Sequence, residues 1–88
     1  MAEPVDVVLL TKNSERLLRE CLESVYRNVP VAQLVAVDGY SRDRTIEILN
    51  QFKEKYHNIK IIQDGGTRAT ARQKGIDQVA TEWLLFVE

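Results

Sequence analysis

Four apolar runs punctuate the chain: Val5–Leu10 (VDVVLL), Leu34–Asp38 (LVAVD), Ile59–Gln63 (IKIIQ) and Trp83–Glu88 (WLLFVE). The first, second and fourth are nearly continuous, the pattern of strands buried on both faces of a parallel sheet. The third is interrupted by Lys60 and Gln63 and reads as an edge strand. Between the runs the apolar spacing lengthens to the helical period. Over 14–28, Leu17, Leu18, Cys21, Leu22 and Val25 form one stripe, with Glu15, Arg16, Arg19, Glu20 and Glu23 outside it. Residues 43–56 repeat the device with Ile46, Leu49, Phe52 and Tyr56 inward. A third helix is predicted over 67–79, with Ala71, Ile76 and Val79 toward the sheet and Gly75 as a weakness within it. Asn13 is the predicted N-cap of the first helix and Ser41 or Asp43 that of the second. Pro30 marks the end of the first, because it disfavours helix at the residue before it.

Strand alternating with helix at this rhythm predicts right-handed crossovers and an α/β, three-layer, Rossmann-like βαβαβαβ unit. Its four-stranded parallel sheet is expected in the order 3-2-1-4, with the third helix on the face opposite the first two. The last run stops at Glu88 with no covering helix behind it, so 1–88 reads as one half-domain truncated from something longer. An apolar edge strand is a template for another chain, and a homodimer through this strand or the helix faces beside it is expected.

Composition works by exclusion. Twelve basic and thirteen acidic residues leave a net charge of -1, which argues against a nucleic-acid binder, since backbone phosphates demand a basic excess. Cys21 is the single cysteine, so neither a disulfide framework nor a multi-cysteine zinc site is available. No apolar run approaches the ~20 residues of a membrane span. Glu3 and Asp6 spoil the N-terminus as a signal peptide, and a cytoplasmic domain is expected.

In an open α/β sheet, ligands bind beyond the carboxyl ends of the strands. Thr11, Lys12 and Asn13 follow the first strand; Asp38 closes the second, and Gly39 to Arg44 follow it; Asp64, Gly65, Gly66, Thr67 and Arg68 follow the third. Lys12, Arg42, Arg44, Arg68 and Arg72 all fall within a turn of this one edge. Arginines beside helix N-termini suit a phosphorylated ligand, through charge-assisted bonds and the positive end of the helix dipole. Asp38 is placed to accept from a base or ribose there. As a strand-end group facing a ligand it should contribute to stability only about 1 kcal/mol or less.

These segments resemble family-2 nucleotide-sugar glycosyltransferases. VDVVLLTKNSERLLRECLESV is similar to that family's opening strand, its Pro-Thr-Tyr-Asn turn and its Leu-rich helix. LVAVDGYSRDRTIEIL resembles the Val-Val-Asp-Asp-Gly-Ser-Thr-Asp segment, and TRATARQKGIDQVATEWLLFVE resembles Ala-Arg-Asn-x-Gly-Ile and the strand leading to Asp-x-Asp. The resemblance implies a GT-A fold and a nucleotide-sugar donor whose sugar passes to an acceptor hydroxyl. Thr11 would line the base pocket, Asp38 with Gly39 would hold base or ribose, and Arg68 and Arg72 would lie near the diphosphate. Glu88 would stand at the first carboxylate of Asp-x-Asp, beside a divalent metal (Mn²⁺ or Mg²⁺) in the intact relative that this chain alone would hold weakly. Departures accompany the match: Leu10 and Lys12 for the family's Pro and Tyr, Gly39 for its second Asp, Tyr40 for its Gly, Gln73 for its Asn. The residues by themselves also admit a small Rossmann-like module binding a nucleotide or phosphorylated metabolite without catalysis, or an inert interaction domain. A dinucleotide role is disfavoured, because Leu10–Asn13 lacks the G-x-G-x-x-G spacing.

Overall fold

The computed structural model describes residues 3–87. Strands β1 (Val5–Thr11), β2 (Val31–Asp38), β3 (Ile59–Gln63) and β4 (Leu84–Val87) alternate with helices α1 (Glu15–Asn28), α2 (Thr45–Tyr56) and α3 (Arg68–Ile76). All pairings are parallel and the order is β3-β2-β1-β4, as the alternation of patterns predicts. Register runs from Val7 opposite Leu34 to Thr11 opposite Asp38, so the last residues of β1 and β2 meet at one edge.

The continuous apolar runs of β1 and β2 are explained by a layer on each face. Val7, Leu9, Leu34 and Ala36 pack with Leu18, Leu22 and Val25 of α1 and Ile48, Leu49 and Phe52 of α2. Val8, Val35 and Val37 turn to the other face, where Ala71 and Val79 cover them. Asp6 interrupts this apolar series and is fully buried. Its Oδ2 accepts from Ala80 N (3.0 Å), Thr81 N (2.7 Å) and Thr81 Oγ (2.6 Å), while its own N–H donates to Trp83 O. The carboxylate thereby ties the segment before β4 to the start of β1. Burial pushes the Asp6 carboxyl up, but the bonds from Thr81 and Ala80 outweigh it and hold the group below its ordinary value.

Several expectations change on inspection. β4 is not buried on both faces: it pairs with β1 alone, and Leu84, Leu85 and Phe86 remain exposed, as does Trp83 just before it. Leu17 lies off the buried stripe of α1, and Cys21 is only half-buried at its margin. The third helix ends at Ile76, and that side chain is exposed rather than facing the sheet. Asn13 is not the cap of α1; it adopts a left-handed φ of 48°, and the terminus is closed from outside the helix. No helix among the described residues is long and apolar enough to cross a membrane.

Gly75 is the reason α3 can sit where it does. A Cβ at this position would overlap Val8 Cγ1 and press on Cγ2 at 3.2 Å, both on a stiff β-branched side chain in the core. The glycine that weakens the helix in the sequence is a point where helix and sheet approach too closely for a side chain. Gly75→Ala is therefore expected to destabilise the chain by about 1–3 kcal/mol in urea unfolding, although helix propensity alone favours alanine by about 1 kcal/mol. A net stabilisation would contradict this packing.

Candidate functional site

The carboxyl edge of the sheet is built around Asp38. A charged group without exposed surface must have its lone pairs met internally, and here they are. Oδ1 accepts from Thr11 Oγ1 (2.8 Å) and Ser41 Oγ (2.6 Å); Oδ2 accepts from Ser41 N (2.8 Å) and, at 3.4 Å, from Gln63 Nε2. Burial is the largest single influence and pushes the carboxyl up, yet Ser41, Thr11 and Gln63 together hold it below its ordinary value. The donors come from β1, the loop after β2, and β3. One carboxylate thus fastens three strand ends.

A second carboxylate fastens two helix starts. Asp43 Oδ1 accepts from Thr45 N (3.0 Å) and Thr45 Oγ1 (2.5 Å), while Oδ2 accepts from Glu15 N (3.1 Å) at the head of α1. Thr45 Oγ1 in turn accepts from Ser14 N (2.7 Å). Asn13 completes the lacing, donating from its N–H to Ser41 Oγ (2.7 Å) and accepting from Arg42 N at its Oδ1 (2.8 Å). Neither helix uses a side-chain bond from its own N-cap residue: α1 draws on the loop before α2, and α2 on Asp43, the residue before its N-cap. The Thr45 hydroxyl foremost, then the Thr45 and Glu15 amides, holds the Asp43 carboxyl low against the opposing effect of burial.

Above this scaffold lies a cleft of about 300 Å³ between the ends of β1 and β2 and the start of α3. Thr11, Lys12 and Gly39 form one side, and Asp64, Gly66, Thr67 and Arg68 the other. Gly39 N donates to Thr11 O (2.8 Å), and the Lys12 stem lies along Gly39, where a Cβ would meet Lys12 Cδ at 3.3 Å. Thr67 caps α3 by accepting from Thr70 N (3.2 Å), and the positive end of that helix faces the cleft. Asp64 Oδ1 accepts from Gly66 N (3.0 Å) and lies 3.9 Å from Lys74 Nζ. The Thr70 hydroxyl, then Gly66 N–H, lower its carboxyl more than burial raises it, and Lys74 adds to the lowering.

Thr11, Gly39 and Arg68 of the expected site therefore line one cleft. Asp38 lies beneath it and, against expectation, spends its carboxylate on the end of β1 and the loop after β2. Arg72 stands one turn along α3, outside the lining residues, and Glu88 lies outside the described residues. Among the described residues no group of three His, Cys, Asp or Glu side chains is placed to hold a metal ion. Asp64 meets Gly66 and Lys74 through Oδ1 and leaves its buried Oδ2 without a hydrogen-bond partner among the described residues, but one carboxylate supplies too few oxygens for a hard cation, which takes six or more. Asp43, a candidate cap of the second helix, does accept from Thr45 N although Arg44 holds the N-cap position; its bond to Glu15 and those of Ser41 to Asp38 go beyond the expected capping. Their signal was the spacing Asp38–Ser41 and Asp43–Thr45, where a short acidic side chain can take a backbone N–H two or three residues on.

The stability expectation for Asp38 is reversed. Asp38→Ala would leave the hydroxyl donors of Thr11 and Ser41 without their acceptor and is expected to cost about 2 kcal/mol or more in thermal or urea unfolding. Because the folded carboxyl titrates below its ordinary value of 3.8, its contribution is present above that value and is lost as pH falls through the lower folded value. Wild-type stability should decline below about pH 4, and Asp38→Asn should show a shallower decline. A variant as stable as wild type would show that these bonds do not hold the edge.

Comparison with known proteins follows the same edge. Residues 6–88 match the profile of glycosyl transferase family 2. The poly(ribitol-phosphate) beta-glucosyltransferase of Bacillus spizizenii is 34% identical over 96% of this chain, which spans 14% of that protein's length. The crystal structure of Staphylococcus aureus TarS in complex with UDP superposes with a TM-score of 0.81 at 28% identity, covering 97% of this chain and 27% of that one. A mannosyltransferase from Pyrobaculum calidifontis, solved with GDP-Man and Mn²⁺, shares the fold with a TM-score of 0.78 at 22% identity, over 91% of this chain and 25% of its own.

Proposed function

The chain belongs to glycosyltransferase family 2, and from that premise we propose that residues 1–88 hold the donor-nucleotide part of a sugar-transfer site. The observation that carries this reading is the cleft itself. Two cations, Lys12 and Arg68, a helix N-terminus and backbone-lined glycines converge there in a volume at the lower end of the range for small-molecule sites. In the proposed reaction the acceptor hydroxyl oxygen bonds to the sugar's anomeric carbon as the bond to the nucleoside diphosphate breaks. Lys12 and Arg68 bind the diphosphate and offset the negative charge it gains on leaving. Thr11 and Gly39 form the floor toward the nucleoside, held in place by Asp38, and Arg72 adds positive potential from the next turn of α3. No described residue is proposed as the base that takes the acceptor proton.

UDP in TarS supports a nucleoside diphosphate as the ligand class. The metal implied by the resemblance finds no cage among the described residues, so no step is routed through one. A binding module without catalysis, the second reading of the sequence, is not favoured by the family match. Titration calorimetry of the full chain with UDP should show saturable binding, weakened about tenfold or more by Arg68→Ala through loss of a charge-assisted contact. Absence of binding to any nucleoside diphosphate would overturn the reading.

Homodimerisation through β4 is proposed alongside it. Leu84, Leu85 and Phe86 are each 37–38% exposed and their strand has a free edge among the described residues. Sedimentation velocity should show mass rising with concentration, and Leu85→Lys should abolish that rise. A concentration-independent monomer would contradict it.

A further inference from the structure

Tyr40 is the side chain that the fold leaves unexplained. Its backbone is left-handed, φ 56°, a conformation that glycine or asparagine adopts at lower cost. Its ring is 59% exposed, so core burial does not offset that cost. The strain is nevertheless locked in from both sides. Gly39 N bonds to Thr11 O before it, and Ser41 donates twice to the buried Asp38 carboxylate after it. The ring rests on the loop after β3, where a Cβ at Gly65 would lie 3.4 Å from Tyr40 Cδ2 and Cε2. Gly39 and Gly66, the chain neighbours of these two contacting residues, both line the cleft. The exposed ring thus adjoins, through Gly39 and Gly66, two of the residues that line the cleft.

We propose that Tyr40 is the platform on which the nucleobase of the donor stacks. The inference rests on the reading of the cleft as a nucleoside diphosphate site and assigns the residue that meets the base. A backbone outlier maintained without a packing return points to a ligand contact, and a rigid aromatic gives stacking area at little conformational cost. The ring covers Gly65 and the Lys12 stem covers Gly39, so the base is placed on the ring's exposed surface, while Lys12 and Arg68 address the phosphates. Stacking on Tyr40 accepts any base face, so this contact contributes affinity rather than base selection.

The test compares the full chain with Tyr40→Gly and Tyr40→Phe, titrated with UDP and with inorganic pyrophosphate. Tyr40→Gly relieves the left-handed strain and should melt no lower than wild type. It should bind UDP about fivefold or more weakly, as expected for loss of one base–aromatic stack, with pyrophosphate affinity within about twofold of wild type. Tyr40→Phe should keep UDP affinity within about twofold, because the ring rather than the hydroxyl makes the contact. Unchanged UDP affinity in Tyr40→Gly, an equal loss for pyrophosphate, or an equal loss in Tyr40→Phe would each overturn the stacking role. Failure of wild type to bind UDP would instead remove the nucleotide reading, and this assignment with it.

Discussion

A buried carboxylate is tolerable only when its environment donates to it, and Asp38 makes that requirement the organising constraint of the whole carboxyl edge. Its donors are contributed by β1, the loop after β2 and β3, elements brought together only by the parallel pairing itself. Once Ser41 is fixed on Asp38, its hydroxyl receives the Asn13 amide, and Asn13 in turn receives Arg42. Asp43 then lies where it can close the first turns of α1 and α2. The order of dependence runs from one anion to two loops to two helix starts. The cleft above rests on a floor cross-linked in this way.

The other face follows a different rule, close packing rather than hydrogen bonding. Gly75 lets α3 descend onto Val8, and that approach sets the position of Thr67 and Arg68 at the opposite wall of the cleft. Asp6 performs at the opposite end of β1 what Asp38 performs at the carboxyl end, anchoring the segment that leads into β4. Both carboxylates sit in strands made mostly of Val, Leu and Ala, and both exchange solvation for fixed donors, at both oxygens of Asp38 and at Oδ2 of Asp6.

Strand order, helix faces and the edge carrying the chemistry were legible because they follow from periodicity and crossover handedness. Val7 and Leu9 against Val8 show the alternation that separates the two cores. Less legible was anything decided by partners distant in sequence. Asn13 has good capping chemistry, yet the caps of α1 come from Asp43 and Thr45, about thirty residues away. The run 83–88 has the apolar character of a buried strand, but burial depends on what lies beside it, and among the described residues β4 pairs with β1 alone. The pattern places Asp38 at the end of β2, but strand-end position does not say which way its oxygens are spent, and here they accept from Thr11 and Ser41. Tyr40 was noticed as a departure from a glycine, and the left-handed φ supplies the reason that a glycine would suit the position.

The central claim is that a nucleoside diphosphate occupies the cleft between the ends of β1 and β2 and the start of α3. Amide chemical-shift mapping of the ¹⁵N-labelled chain during titration with UDP tests it most directly. The account predicts saturable shifts concentrated at Thr11–Lys12, Gly39–Tyr40 and Gly65–Arg68, with the distal ends of the sheet around Asn58 and Thr81 unmoved. Shifts centred on the exposed face of β4, or a spectrum unchanged by UDP, would contradict it.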